Sequence, residues 1–236
     1  MLITPRLLAI CKMIKDEESV ADIGTDHAYV PIYLKKDINN NIKNLYASDI
    51  SKGPLDAAKT NVKAFGFEKE IQLILGDGIK WINDYKAKIN TCIIAGLGSN
   101  TILNILEDDS DNIDCYIISC NTAVAPIRKW AKSKRYKIEE EVLISDNDII
   151  YEIIKINKNG GVKIKNKADI IFGPILRKQK PSKIYFEKWL LEEQRQNDLL
   201  VKIPNTEKKY KEILRYRNIL KKEVNKVLFN EFKKNK

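Results

Sequence analysis

Between residues 18 and 157 the chain alternates short apolar runs with longer amphipathic stretches, and that rhythm limits the folds open to it more than any other feature. The runs SVADIG, LYASDI, IQLILGDG, NTCIIAGLG and DCYIISCN are brief, rich in β-branched residues and closed by Gly, Asp or Asn. Runs of this kind read as strands buried on both faces. Helix-compatible stretches at about 27–37, 52–66, 99–107 and 123–135 separate them. The alternation predicts an α/β fold built on a doubly wound, Rossmann-like parallel sheet.

After Arg135 the pattern changes. YKIEEEVLISD and IIYEIIKIN flank a short Asp/Asn turn, which predicts a hairpin closing one sheet edge. An antiparallel strand in that place suits a methyltransferase sheet better than a dinucleotide dehydrogenase sheet. At FGPIL (172–176) the composition shifts again, to charged sequence without glycine, so the boundary between two domains is expected between residues 171 and 172. Helices near 178–200 and 205–233 follow, interrupted at Pro204, with Asn205 or Thr206 able to cap the second. Tyr210, Ile213, Arg217, Leu220, Val224 and Val227 fall on a heptad-like seam, which predicts an antiparallel, coiled-coil-like hairpin within one chain and a monomer rather than an obligate oligomer.

Charge is distributed unevenly. Residues 171–236 carry 18 Lys+Arg against 8 Asp+Glu, while residues 1–170 hold 24 of each, so the whole net charge of +10 sits in the tail. A solvated helical face is one reading, but a localised basic surface is the footprint expected of a nucleic-acid partner. Lys208, Lys209, Lys211, Arg215, Lys221 and Lys222 lie off the apolar seam, available to phosphates. Cys11, Cys92, Cys115 and Cys120 form no CxxC pair and read as buried, reduced thiols, without a metal site. No stretch has the length and apolarity of a membrane span, and the N-terminus lacks the features of a signal peptide, so a soluble cytoplasmic protein is expected.

The chemistry-bearing residues cluster at predicted strand ends. In VADIGTDHAY (20–29), Gly24 allows a sharp turn, while Asp22 and Asp26 can bind an ammonium group or cap the next helix. A pyrophosphate fits poorly between two carboxylates in a loop lacking GxGxxG, which disfavours a nicotinamide-linked dehydrogenase. A ligand with a cationic end, such as S-adenosyl-L-methionine, fits better. Asp49, ending the second strand, stands where such folds hold ribose hydroxyls, and Asp77, ending the third, can meet an adenine amino group. Gly96 and Gly98 around Leu97 would expose backbone where a flat base docks, with Ser99 as a helix cap. Asn121 can bond a base edge or cap a helix with Thr122, and Arg128 with Lys129 can meet phosphate. His27, the single histidine, is placed to pack over a cofactor rather than to act as a base.

ADIGTDHAYVP, DISKGPLDAAK, GDG, IAGLGS, IRKW, EVLISDNDIIYEI and FGPIL, in this order, resemble the bacterial tRNA (adenine-22)-N1 methyltransferases of the TrmK family. The resemblance covers nearly the whole chain. It implies a class I S-adenosylmethionine-dependent methyltransferase domain joined to a helical domain that helps hold tRNA. Carried onto this sequence, it implies cofactor contacts from Asp22, Gly24, Asp49, Asp77 and Gly78, with Asp26 and His27 between cofactor and target base. Ile50 and Ala95 complete the expected cofactor set, and Gly96, Leu97, Gly98 and Asn121 the expected base site. Asp26 is the candidate catalytic residue. AGLGS stands where the family commonly has AGMGG, and Cys120–Asn121 where it has Pro-Asn. Another RNA methyltransferase, or a tRNA-binding protein with a vestigial cofactor fold, remains the competing reading.

Overall fold

A computed structural model of the chain describes residues 3–16, 18–37, 41–179 and 182–232, with side chains to residue 226. Its strands are β1 (Ser19–Ile23), β2 (Asn44–Asp49), β3 (Ile71–Leu75), β4 (Ile89–Leu97), β5 (Ile113–Cys120), β6 (Lys137–Asp146), β7 (Ile149–Asn157) and β8 (Val162–Lys163). They form one sheet in the order β3-β2-β1-β4-β5-β7-β6-β8. The first five are parallel; β7 runs antiparallel to β5, and β6 antiparallel to β7.

The helices of this unit are α1 (Pro5–Lys12), α2 (Tyr29–Lys36), α3 (Lys52–Ala64), α4 (Lys80–Asp84), α5 (Ser99–Ile105), α6 (Ala125–Ser133) and α7 (Lys167–Phe172). They cover both faces because strand residues point alternately up and down. Val20, Ile93, Ile117 and Ile153 pack in one layer with Ile10, Ile32 and Val62 from α1, α2 and α3. Ala21, Ile94, Ile118 and Ile154 pack in the other with Trp81, Ile102 and Ile127 from α4, α5 and α6. All four cysteines are buried and free, and burial pushes the Cys11 and Cys120 thiols up to about 12.

Strand order reverses between β1 and β4. Chain segments leaving those two strands diverge, and the crevice at their carboxyl ends is the ligand position of open α/β sheets.

The chain divides into compact units of residues 1–178 and 179–236. The expected division at 171/172 lies earlier than this one because α7 and the turn after it are tied to the sheet. Fully buried Arg128 donates from Nε to Glu141 Oε1 at 2.7 Å, pairs with Glu152, and reaches the carbonyls of Ile170 and Ile171 at 3.4 Å. Glu141 Oε2 in turn accepts from the amides of Ile175 and Leu176. Arg128 is therefore unavailable to a phosphate, correcting its expected surface role; Lys129, next to it, is exposed.

The second unit holds α8 (Lys183–Lys202) and α9 (Lys208–Phe232). They are antiparallel: the Tyr185 hydroxyl near the start of α8 donates to Glu223 late in α9 at 3.0 Å. Leu220 and Val224 of the expected seam are buried and Tyr210, Ile213 and Arg217 partly so, while the Val227 side chain lies outside the described residues, as do positions 180, 181 and 233 of the expected helical spans. Because α9 begins at Lys208, Asn205 and Thr206 lie in the turn before it, and neither flanks the helix as expected of a cap. Lys208, Lys209, Lys211, Arg215, Lys221 and Lys222 are all exposed.

Candidate active site

The loop after β1 is shaped by backbone conformation. Gly24, Asp26 and Ala28 all have positive φ, at 71°, 50° and 56°. Glycine takes that conformation freely, whereas Asp and Ala are strained in it, and strained non-glycine residues concentrate at functional sites. The amides of Gly24 and Thr25 both donate to the Ser48 carbonyl, pinning the loop to the end of β2. Asn61 of α3 holds the His27 carbonyl at 3.0 Å.

Asp22 is buried at the end of β1, its Oδ2 accepting from the Thr25 hydroxyl at 2.7 Å. Burial pushes its carboxyl up to about 6, the Thr25 hydrogen bond opposes this, and the negative charge of Asp49 adds to it. Asp49 accepts from the Ser51 amide through Oδ1 at 2.8 Å. Asp49, ending the neighbouring strand, thus adds its repulsion to the burial that already makes Asp22 costly to ionise. A cationic ligand relieves that repulsion and a pyrophosphate worsens it, so the donor set fits an amine-bearing, sulfonium cofactor.

Asp77 is exposed and holds Lys80 at 2.5 Å, with Gly78 beside it at φ 56°. Ile50 is two-thirds exposed at the same edge. Ala95, Gly96, Leu97 and Gly98 are partly exposed along the end of β4, where a register shift between Ala95 and Leu97 kinks the strand at Gly96, φ 79°. A side chain built on Gly96 or Gly98 would meet nothing within 4 Å, whereas one on Gly24 would meet Leu97 at 3.7 Å. The turn therefore borders open space, and Gly24 and Leu97 approach one another across the crevice.

Two capping expectations are corrected here. Gly98, not Ser99, is the N-cap of α5; the buried Ser99 donates its amide to the Thr122 hydroxyl and accepts from that hydroxyl, both at 2.9 Å. Ser99 thus bridges the β4 and β5 loops. Asn121 likewise does not cap α6, whose N-cap is Val124. Its amide nitrogen donates to the Gly96 carbonyl at 2.5 Å and its oxygen accepts from Arg6 at 3.2 Å.

Asp26 is two-thirds exposed, with its Oδ1 3.6 Å from His27 Nε2. The His27 ring stacks on Tyr29 with centroids 5.2 Å apart. Sequence reasoning missed Tyr29, Arg6 and Tyr151, whose ring lies under the Arg6 guanidinium at 4.6 Å. Arg6 carried one overlooked signal: a cation in the first turn of a helix opposes the macrodipole and needs another reason to be there.

A doubly wound sheet with an antiparallel seventh strand, acids ending β1 and β2, and no pyrophosphate loop define a class I S-adenosylmethionine-dependent methyltransferase. Within that class, the sequence model of TrmK, tRNA (adenine(22)-N(1))-methyltransferase, matches residues 20–228, and the chain belongs to that family. It is 29% identical over 199 residues to the tRNA (adenine(22)-N(1))-methyltransferase of Bacillus subtilis, covering 80% of this chain and 81% of the relative. The structure of M. capricolum TrmK with S-adenosyl-homocysteine matches with a TM-score of 0.87 and 36% identity, over 95% of this chain and 99% of that one. A Streptococcus pneumoniae putative tRNA (m1A22) methyltransferase in complex with S-adenosyl-L-methionine matches with a TM-score of 0.83 and 25% identity, over 94% and 100%.

Proposed function

We propose that the chain methylates N1 of adenine 22 in tRNA, as a cytoplasmic monomer, with the first unit carrying cofactor and base and the basic helical unit meeting tRNA phosphates. S-adenosyl-L-methionine supplies the electrophilic methyl group. The observation that carries the reading is the pair of mutually repelling carboxylates, Asp22 and Asp49, beside the open Gly96–Gly98 turn.

Asp22 attracts the cationic end of the cofactor, Gly24 lets the backbone approach it, and Asp49 binds ribose hydroxyls. Ile50, Asp77, Gly78 and Ala95 border the adenine moiety, and His27, steadied by Tyr29, packs over the cofactor. Gly96, Leu97, Gly98 and Asn121 receive the target base. Adenine N1 carries an in-plane lone pair, so the chief task of these residues is alignment. Because N1 lies on the Watson–Crick edge, the base must be turned out of the RNA fold to reach them. Methylation places positive charge on the ring, and the Asp26 carboxylate stabilises it. Lys129 and the exposed α9 residues Lys208, Lys209, Lys211, Arg215, Lys221 and Lys222 hold the phosphate backbone, which favours recognition of tRNA by shape.

Asp26→Ala tests the assignment. Turnover is expected to fall about 100-fold, the scale of one electrostatic stabiliser, while S-adenosylmethionine affinity by calorimetry stays unchanged. An equal loss of affinity would move Asp26 into the cofactor set.

A further inference from the structure

Asn121 sits at the expected base site with its amide already oriented from two sides. The Arg6 guanidinium can only donate and the Gly96 carbonyl can only accept, so the side-chain oxygen must face Arg6 and the nitrogen Gly96. No other orientation satisfies both partners. Arg6 is itself held: Thr4 caps α1 by accepting from the Leu7 amide, Pro5 opens the helix, and the Tyr151 ring lies under the guanidinium. The first turn of α1 contains no acidic residue, and a cation there is unfavourable for the helix. Its position is therefore explained by what it holds.

An asparagine amide has two N–H donors and two acceptor lone pairs. With one of each engaged, one donor and one acceptor remain. That pair matches the N7 acceptor and N6 donor of adenine and leaves N1 unencumbered for alkylation; guanine, with acceptors at both N7 and O6, places oxygen against oxygen. Resting on the base-site assignment above, we propose that Arg6 is a positioning residue that locks the Asn121 amide and so makes it a reader of the N6/N7 edge of the target adenine. Tyr151 keeps the guanidinium plane in place, a service a lysine at position 6 could not receive in the same form.

The test compares full-length protein on tRNA carrying adenine or 7-deazaadenine at position 22, following kcat/KM and kcat with labelled S-adenosylmethionine. Loss of N7 should lower wild-type kcat/KM about three- to tenfold, the worth of one hydrogen bond. Asn121→Ala should lose a similar factor on adenine and show no further response to the deaza base. Arg6→Ala and Arg6→Lys should both blunt that response, Tyr151→Phe should preserve it and Tyr151→Leu should not. Unchanged S-adenosylmethionine affinity and melting temperature show that these variants fold. A full N7 response in both Arg6 variants overturns the positioning role, and a wild type indifferent to N7 overturns the edge-reading role. Failure of the wild type to methylate the adenine-containing tRNA at all would instead remove the underlying functional reading.

Discussion

Asp22→Asn should make the cofactor-free protein more stable at neutral pH and less able to bind its cofactor. An aspartate normally ionises near 3.8; in the folded chain burial raises Asp22 to about 6. Holding it ionised at pH 7.5 therefore costs about 3 kcal/mol, at about 1.4 kcal/mol for each tenfold change in proton affinity. The asparagine removes this charge and can still accept from Thr25, but its buried NH2 needs a partner, which offsets about 1–2 kcal/mol. The net gain is about 1–2 kcal/mol, or roughly 3–6 °C in melting temperature for a protein of this size. The pH dependence has a definite sign. Between about 4 and 6 the folded state binds the Asp22 proton more tightly than the unfolded chain, so the stability it lends is present in acid and lost as pH rises through that window. At pH 4.5 the variant should thus show no advantage. Urea unfolding at pH 4.5 and 7.5 measures this directly; the same stability difference at both pH values would refute the argument. S-adenosylmethionine binding to the wild type should weaken as pH falls through about 6, and the variant should bind weakly throughout.

Arg128→Ala leaves Glu141 and Glu152 buried without their shared cation and should destabilise the protein by about 3–5 kcal/mol in urea unfolding. Arg128→Lys should recover only part of this, because an ammonium cannot serve both carboxylates and the Ile170 and Ile171 carbonyls in the planar fork used here. The double replacement of Lys221 and Lys222 by Glu should weaken tRNA binding across tRNA sequences. It should also reduce the salt dependence by about one in log–log slope for each phosphate no longer neutralised, without changing S-adenosylmethionine affinity.

The sheet was legible in the sequence because its central strands, β1, β4 and β5, are buried on both faces and so written as short, nearly unbroken apolar runs. Strand ends were legible for the same reason: Asp22, Asp49 and Asp77 interrupt those runs where the chain leaves the core. α7 was not, since at six residues it is too short to show a helical period and its start depends on a reciprocal cap between Asn166 and Asp169 that a pattern of hydrophobicity does not register. Arg128 was misread because Arg and Lys adjacent on one helix look alike in sequence, although they point to opposite environments. The missing signal lay in the hairpin: Glu152 interrupts a strand sequence, IIYEIIKIN, that is otherwise largely apolar, and buried acids require an internal cation. Arg6, Asn121 and Tyr151 meet only in three dimensions, from segments separated by more than a hundred residues at one step.

The most direct measurement incubates the purified protein with labelled S-adenosylmethionine and unmodified tRNA transcripts that carry or lack adenine at position 22, then maps the methylated nucleotide. Label confined to N1 of adenine 22, and absent when that base is replaced, is the expected result. Tight tRNA binding without transfer, or transfer to another position, would contradict it.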